Sequence, residues 1–282
     1  MFSNDGLLIR KTAPQAVELT CRMLGEVGVP MVEKYVAWFE DYCADGAFYE
    51  RIIHNIVQCF IEPGHVAVDA GAHSGRYTLP LCEKVGSAGR VYAIEPITTL
   101  ARQLKAEALP QLHVIEAAIT NFRGKANFYH WQQAESSSAL VPHLCLESNV
   151  DVLHVTTETL DTIVPESETV RFIKLDIEGA EFDALQGARR ILERDRPLVI
   201  FEHGSIASAT RYNYDISDFM TFWDDLGYVV VDLFGRPRGG PRFHDNSVCY
   251  LVAGADKESL ELIENLQIPV VLAALQMRQN NY

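Results

Sequence analysis

Positive charge is scarce in this chain: 24 Lys and Arg stand against 38 Asp and Glu, a formal net charge of -14 over 282 residues. Non-specific binding to a phosphate backbone rests on clustered Lys and Arg, so no nucleic-acid partner is expected. A small anionic ligand held locally stays allowed. The six cysteines (Cys21, Cys43, Cys59, Cys82, Cys145 and Cys249) are scattered without a C-x-x-C pair. That spacing argues against a disulfide framework and for reduced core thiols in a cytosolic compartment. No H-E-x-x-H helix is present, so no dedicated metal set is expected. The chain shows no apolar signal core and no uncharged run of membrane-spanning length, so a soluble, cytoplasmic protein without a membrane partner is expected. Repeats and low-complexity tracts are absent too. What remains is an ordinary globule, 48% hydrophobic and 22% charged, long enough to bury a sizeable core.

Within it, Val66-Ala67-Val68-Asp69-Ala70-Gly71-Ala72-His73-Ser74-Gly75 organises the rest. A short apolar run ends in an acid, and glycines then open a helix expected over about Tyr77–Val85. Glycine there leaves room for a ligand against the backbone, and amides at the helix start can hold an anionic group such as a carboxylate. A dinucleotide loop needs G-x-G-x-x-G, but His73 and Arg76 stand where its second and third glycines belong. D-x-G-x-x-x-G does fit, with Asp69, Gly71 and Gly75. This is a methyltransferase-type loop, in which the strand-end acid can take the ammonium group of S-adenosylmethionine.

Residues 1 to about 60 read as helical, from Val17, Cys21 and Leu24 on one face and Tyr35, Trp38, Phe39 and Tyr42 on another. From Pro63-Gly64 strands and helices alternate, which implies a mainly parallel sheet. Strands are expected at Val66–Asp69, Arg90–Glu95, Leu112–Ile119, Gly124–Tyr129, Val152–Thr156, Val170–Asp176, Pro197–Glu202, Tyr228–Phe234 and Val248–Ala253. Helices are expected over about Thr98–Ala108, Ala180–Leu192 and Ser217–Leu226, and from Lys257 to a break near Pro269. The irregular piece 130–150, with Glu135-Ser136-Ser137-Ser138, is either a lid or substrate loop or a solvated connection. Gly235–Asn246 reads as a glycine- and proline-rich loop.

Glu95 ends the strand after the glycine loop, about 26 positions beyond Asp69, near the offset at which an acid meets ribose hydroxyls. Glu116-Ala117 falls where such folds read an adenine edge. Phe172-Ile173-Lys174-Leu175-Asp176-Ile177-Glu178-Gly179-Ala180-Glu181 places three carboxylates at the ligand edge of a sheet, although Glu178 and Glu181 also suit a helix start. Lys174, in an apolar strand, can pair with a nearby acid. Asp176 closes the strand nearest the expected reactive centre, and His203 in Glu202-His203-Gly204 ends the next one. Histidine is the usual general base near neutrality, so His203 and Asp176 are the catalytic candidates. His73 can serve the cofactor side by hydrogen bonding or packing. A Mg²⁺ held by Asp176 with Glu178 or Glu202 is the alternative way to activate an acceptor, and the reading without metal is preferred. His54, His113, His130, His143, His154 and His244 have no supporting constellation.

From about Gly46 to Val252 the chain resembles the FkbM family of S-adenosylmethionine-dependent methyltransferases. The segments that carry the likeness are VDAGAHSGRYTL, GRVYAIEP, ETLDTI, IKLDIEGAEFDALQGA and RPLVIFEHG. The resemblance implies an α/β class I methyltransferase fold, Rossmann-like. Its seven-stranded, mainly parallel sheet would have the last strand antiparallel and helices on both faces. With the helical reading of residues 1–60, the methyltransferase domain is expected at 61–282 and residues 1–60 as a helical extension or cap; the stretch before Gly46 is not covered by the resemblance. The resemblance implies transfer to a hydroxyl oxygen, commonly on a sugar or polyketide-type natural product, by direct in-line transfer with general-base assistance. It carries Asp69, Gly71, His73, Gly75 and Glu95 onto cofactor motifs and Asp176, Glu178 and Glu181 onto a D-x-E-G-x-E segment. His73 departs from the glycine of general methyltransferases and the asparagine of this family. The cofactor set is then Asp69, Gly71, His73, Gly75, Glu95, Glu116, Ala117 and Asp176; a homodimer is compatible. The rival readings are an NAD-dependent oxidoreductase and a non-catalytic cofactor-binding protein on the same fold.

Overall fold

The computed structural model describes residues 46–131, 138–142, 150–203, 205–235, 249–266, 269–270 and 272–273. The helices expected before residue 46, most of the 130–150 piece and residues 236–246 of the glycine- and proline-rich loop lie outside them. The chain divides into two compact units: Ile61–Asp232 with Arg236–Ile263, and Met1–Phe60 with Leu233–Gly235 and Glu264–Tyr282. In the latter, helix α1 (Gly46–Phe60) buries Phe48, Ile52, Ile53, Ile56 and Val57. The Asn55 amide donates to the Pro269 carbonyl at 3.2 Å, and Phe48 stacks on Phe234 with ring centroids 6.4 Å apart. Among the described residues, 233–235 and 264–273 therefore group with α1.

In the larger unit the order is β1 (Val66–Ala70), α2 (Thr78–Val85), β2 (Arg90–Ile94), α3 (Thr98–Ala106), β3 (Leu112–Ile115), β4 (Ala118–Ile119), β5 (Gly124–Trp131) and β6 (Val150–Glu158). It continues with α4 (Leu160–Ile163), β7 (Val170–Leu175), α5 (Glu181–Gln186), α6 (Arg189–Asp195), β8 (Leu198–His203) and α7 (Ser205–Tyr212). It closes with α8 (Ile216–Asp225), β9 (Val229–Asp232), β10 (Cys249–Gly254) and α9 (Lys257–Glu264). Seven strands form one sheet in the order β3-β2-β1-β7-β8-β10-β9. Strands β1, β2, β3, β7 and β8 pair in parallel, and β10 runs antiparallel to both β8 and β9. The order turns back between β1 and β7, and such a switch point opens a crevice at the carboxyl ends of the strands.

Alternation along the central strands divides the core. Tyr92, Ile94, Ile173, Leu175, Val199 and Phe201 pack against Phe182, Leu185, Ile191, Phe219 and Trp223 of α5, α6 and α8. Ala93 faces the other way and packs with Leu104 of α3. Helices thus cover both faces. Local chemistry sets several helix starts: the Asp215 carboxylate accepts from the Ser217 amide at the start of α8. Asp161 reaches from α4 to accept from the Arg190 and Ile191 amides, satisfying orphan donors at the start of α6.

Two long elements expected from the sequence are divided. Leu112–Ile119 forms β3 in the large sheet and β4 in a second, three-stranded sheet ordered β4-β6-β5. Ala180–Leu192 becomes α5 and α6, with Gly187 at the break. A Cβ on Gly187 would run into the Thr120 carbonyl oxygen, so the two segments meet there only without a side chain. No helix among the described residues is long and apolar enough to cross a membrane.

Candidate functional site

The β1–α2 loop is tied to the end of β2. The Gly71 and Ala72 amides donate to the Ile94 carbonyl at 3.0 and 3.1 Å. His73, with φ 48°, turns its amide to Glu95 Oε2 at 2.8 Å. Glu95 Oε1 accepts from the Ile97 amide at 2.9 Å, so backbone donors fix both carboxylate oxygens. The His73 backbone thus takes part in holding Glu95.

Gly71 has φ 79°, and a Cβ on it would collide with the Asp176 carbonyl oxygen. The Asp176 amide meanwhile donates to the Ala70 carbonyl at 3.1 Å. The glycine is required because the ends of β1 and β7 touch. Gly75, at φ 89°, packs against α3: a Cβ there would lie 2.9 Å from Leu104 Cδ2.

These loops frame an open cavity with both polar and apolar lining residues. Its lining includes Gly71, His73, Glu95, Asp176, Glu178 and Ala180. Ile97, Ala117, Ile119, Phe128 and Leu140 make an apolar slot. Phe128 comes from β5, and Ser138 and Leu140 from the chain that meets β5 through the Tyr129–Ala139 bridge. The small sheet therefore supplies a wall that the sequence reading missed. The burial rhythm of β5 marks Phe128 as inward-facing, but its partners are remote in sequence.

Of the candidate residues, Gly71, His73, Glu95, Ala117 and Asp176 converge on this cavity; Asp69, Gly75, Glu116 and His203 are outside its lining. Asp69 is fully buried, accepts from Thr78 Oγ1 at 2.6 Å and stands 3.9 Å from Lys174 Nζ. Its hydrogen bond from Thr78 goes to Oδ2, and Oδ1 is buried without a hydrogen-bond partner among the described residues. Glu116 is on the surface, accepting from Thr98 Oγ1 at 2.7 Å and Lys105 Nζ at 3.3 Å. His203 is 2% exposed, its ring 4.5 Å from that of Phe219 and its Nε2 3.3 Å from the Tyr214 hydroxyl. Strand alternation explains this: Glu202 and His203 point to opposite faces, and His203 takes the one covered by α8. Burial pushes its imidazole down to about 4, so it stays neutral in the core.

The other face of the strand ends is polar. Lys174 Nζ lies 3.1 Å from Asp176 Oδ2 and 4.6 Å from the Tyr77 ring centroid. Burial opposes its charge, but Asp176 and Asp69 outweigh that and leave its pKa raised. Glu178 takes a left-handed backbone, φ 59°, and its carbonyl accepts from Arg211 and, at 3.4 Å, from the Tyr212 hydroxyl. Glu181 Oε1 closes this turn by accepting from the Ile177 and Gly179 amides at 2.9 and 3.2 Å. A non-glycine residue held at positive φ beside a cavity is a pattern of strained functional loops. Burial first, then neighbouring carboxylates, push Glu178 up to about 8 and Glu202 up to about 9. One carboxylate oxygen each from Asp176, Glu178 and Glu202 lies within 4.8 Å of the others, close enough to share a cation.

Residues 69–230 match the model of the methyltransferase FkbM domain. No curated protein matches the sequence. Among solved structures the chain is similar to a methyltransferase FkbM from Methylobacillus flagellatus KT, with 20% identity and a TM-score of 0.42 over 67% of this chain. The chain spans 43% of that protein's length. It is similar also to Aeropyrum pernix fibrillarin with natively bound S-adenosyl-L-methionine, with 14% identity and a TM-score of 0.42 over 73% of this chain and 75% of that one. A third is a precorrin-6y C5,15-methyltransferase from Geobacter metallireducens GS-15, with 14% identity and a TM-score of 0.39 over 73% of this chain and 86% of that one. The domain match covers more than half of the sequence: the chain belongs to the FkbM methyltransferase domain family.

Proposed function

We propose that the domain methylates a hydroxyl oxygen of a small molecule such as a sugar or a polyketide-type natural product. The observation that carries this is one cavity whose lining combines Glu95, the apolar Ile97, Ala117 and Phe128, and the carboxylates Asp176 and Glu178. S-adenosylmethionine suits that set of surfaces. Glu95, held by the His73 and Ile97 amides, offers a carboxylate of the kind that accepts from ribose hydroxyls. Ile97, Ala117 and Phe128 suit an adenine ring. Bound there, the cofactor supplies an electrophilic methyl group, so the protein's main task is alignment.

A neutral alcohol is a poor nucleophile, and its proton has to leave as its oxygen gains the methyl group. Asp176 lines the cavity and is the acceptor for that proton; His203, sealed against Phe219, is not. The proximity of Asp176, Glu178 and Glu202 supports a second reading, in which a divalent cation lowers the acceptor's pKa. Activity that survives chelation would remove it.

Calorimetric titration with S-adenosylmethionine and, separately, NAD is the first test. Micromolar-class binding of the first alone is expected, weakened at least about tenfold in Glu95→Ala by loss of hydrogen bonds to a charged group. Release of S-adenosylhomocysteine with hydroxylated sugars and polyketide-type alcohols then tests the acceptor class. Turnover of amines but no alcohol would refute it.

A further inference from the structure

Asp176 accepts two hydrogen bonds, and both arrive at the same oxygen. Lys174 Nζ donates to Oδ2 at 3.1 Å from β7, and the Tyr250 hydroxyl donates to it at 3.1 Å from β10. Among the described residues, no protein hydrogen bond reaches Oδ1. The carboxylate torsion of an aspartate is soft and broad. Two donors from different strands, converging on one oxygen, fix the carboxylate plane.

Both donors are themselves constrained. Lys174 is 1% exposed, with Asp69 on one side and the Tyr77 ring on another. Tyr250 reaches the site because β10 runs antiparallel beside β8 and sets Tyr250 opposite Glu202, in line with the end of β7. Burial first, then Asp176 and Glu202, raise the Tyr250 phenol, so it remains a donor.

We propose that Tyr250 and Lys174 are positioning residues that lock Asp176 through Oδ2 and leave Oδ1 for whatever occupies the place of the transferred methyl. The proposal rests on the S-adenosylmethionine reading of the cavity. Two probes test it without a known acceptor: S-adenosylhomocysteine, which lacks the methyl, and sinefungin, which carries a protonated amine in its place. Calorimetry on the full chain gives their dissociation constants in wild type, Tyr250→Phe and Asp176→Asn. Wild type is expected to prefer sinefungin by about tenfold or more, the scale of a charge-assisted hydrogen bond. Asp176→Asn abolishes the preference. Tyr250→Phe, which keeps the ring, cuts it at least about threefold while the affinity for S-adenosylhomocysteine stays within about twofold of wild type. Lys174→Gln, where it folds, shifts the preference in the same direction. A preference unchanged in Tyr250→Phe overturns the proposal. A parallel loss of S-adenosylhomocysteine affinity does so too, because it marks a general packing role. Wild type that binds both probes equally also refutes it. Binding of neither probe would instead refute the cofactor reading beneath it.

Discussion

Burial pushes Glu202 up to about 9, Glu178 to about 8 and Glu181 to about 7, while His203 falls to about 4. The three raised carboxyls bind protons more tightly in the folded chain than in the unfolded one, where they titrate near 4.5. Their contribution to stability is complete below about pH 4.5 and is lost as pH rises through about 7 to 9. His203 has the opposite sign: its contribution is present above about pH 6.5 and is lost as pH falls toward 4. From pH 6.5 to 9 only the carboxyls act, so the urea midpoint of the ligand-free protein is expected to fall across that window. Glu202→Gln should flatten the fall. A midpoint rising over the same window would contradict this account of the cluster. Gly71→Ala belongs at the same scale. Its Cβ would meet the Asp176 carbonyl at a positive φ, so a loss of at least about 2 kcal/mol is expected by urea denaturation.

Among the elements, the small sheet is the least expected contributor. Phe128 of β5 packs with Ile97, Leu100, Ala118 and Val155, and it faces the cavity as well. Phe128→Ala should cost about 3 kcal/mol in urea denaturation through the cavity it leaves. It should also weaken S-adenosylmethionine binding roughly tenfold through loss of apolar contact. An unchanged dissociation constant would take Phe128 out of the adenine slot. β3 and β4 show why this sheet was hidden. Leu112–Ile119 reads as one strand, because nothing in its pattern reveals that Ala118 and Ile119 pair with Thr157 and Glu158 on β6. The break at Gly187 has the same origin, a distant carbonyl at Thr120. The starts of α6 and α8 differ in kind: Asp215 caps from the adjacent residues, whereas Asp161 arrives from another helix.

For the molecule as a whole, the net charge of -14 makes a concrete claim. Neither duplex DNA nor structured RNA should be retarded in a gel at about 150 mM salt, where phosphate binding needs clustered cations. Retardation by micromolar protein would reopen the question of acceptor class.

The alternation of strands and helices, the glycine loop and the acids ending β2 and β7 were readable in order along the chain, because each is a local pattern or a fixed spacing. They determine the sheet, the family and Glu95. Only the tertiary structure decided which carboxylates face the cavity. Glu202 and His203 are adjacent, yet opposite faces of β8 send one beside Asp176 and Glu178 and the other into the core. Asp69, an obvious ligand by position, accepts from Thr78 and stands beside Lys174. Tyr250 meets Asp176 only because β10 inserts antiparallel beside β8. Local sequence sets the period of an element, but the face it presents and the partner it finds are set by contacts far along the chain.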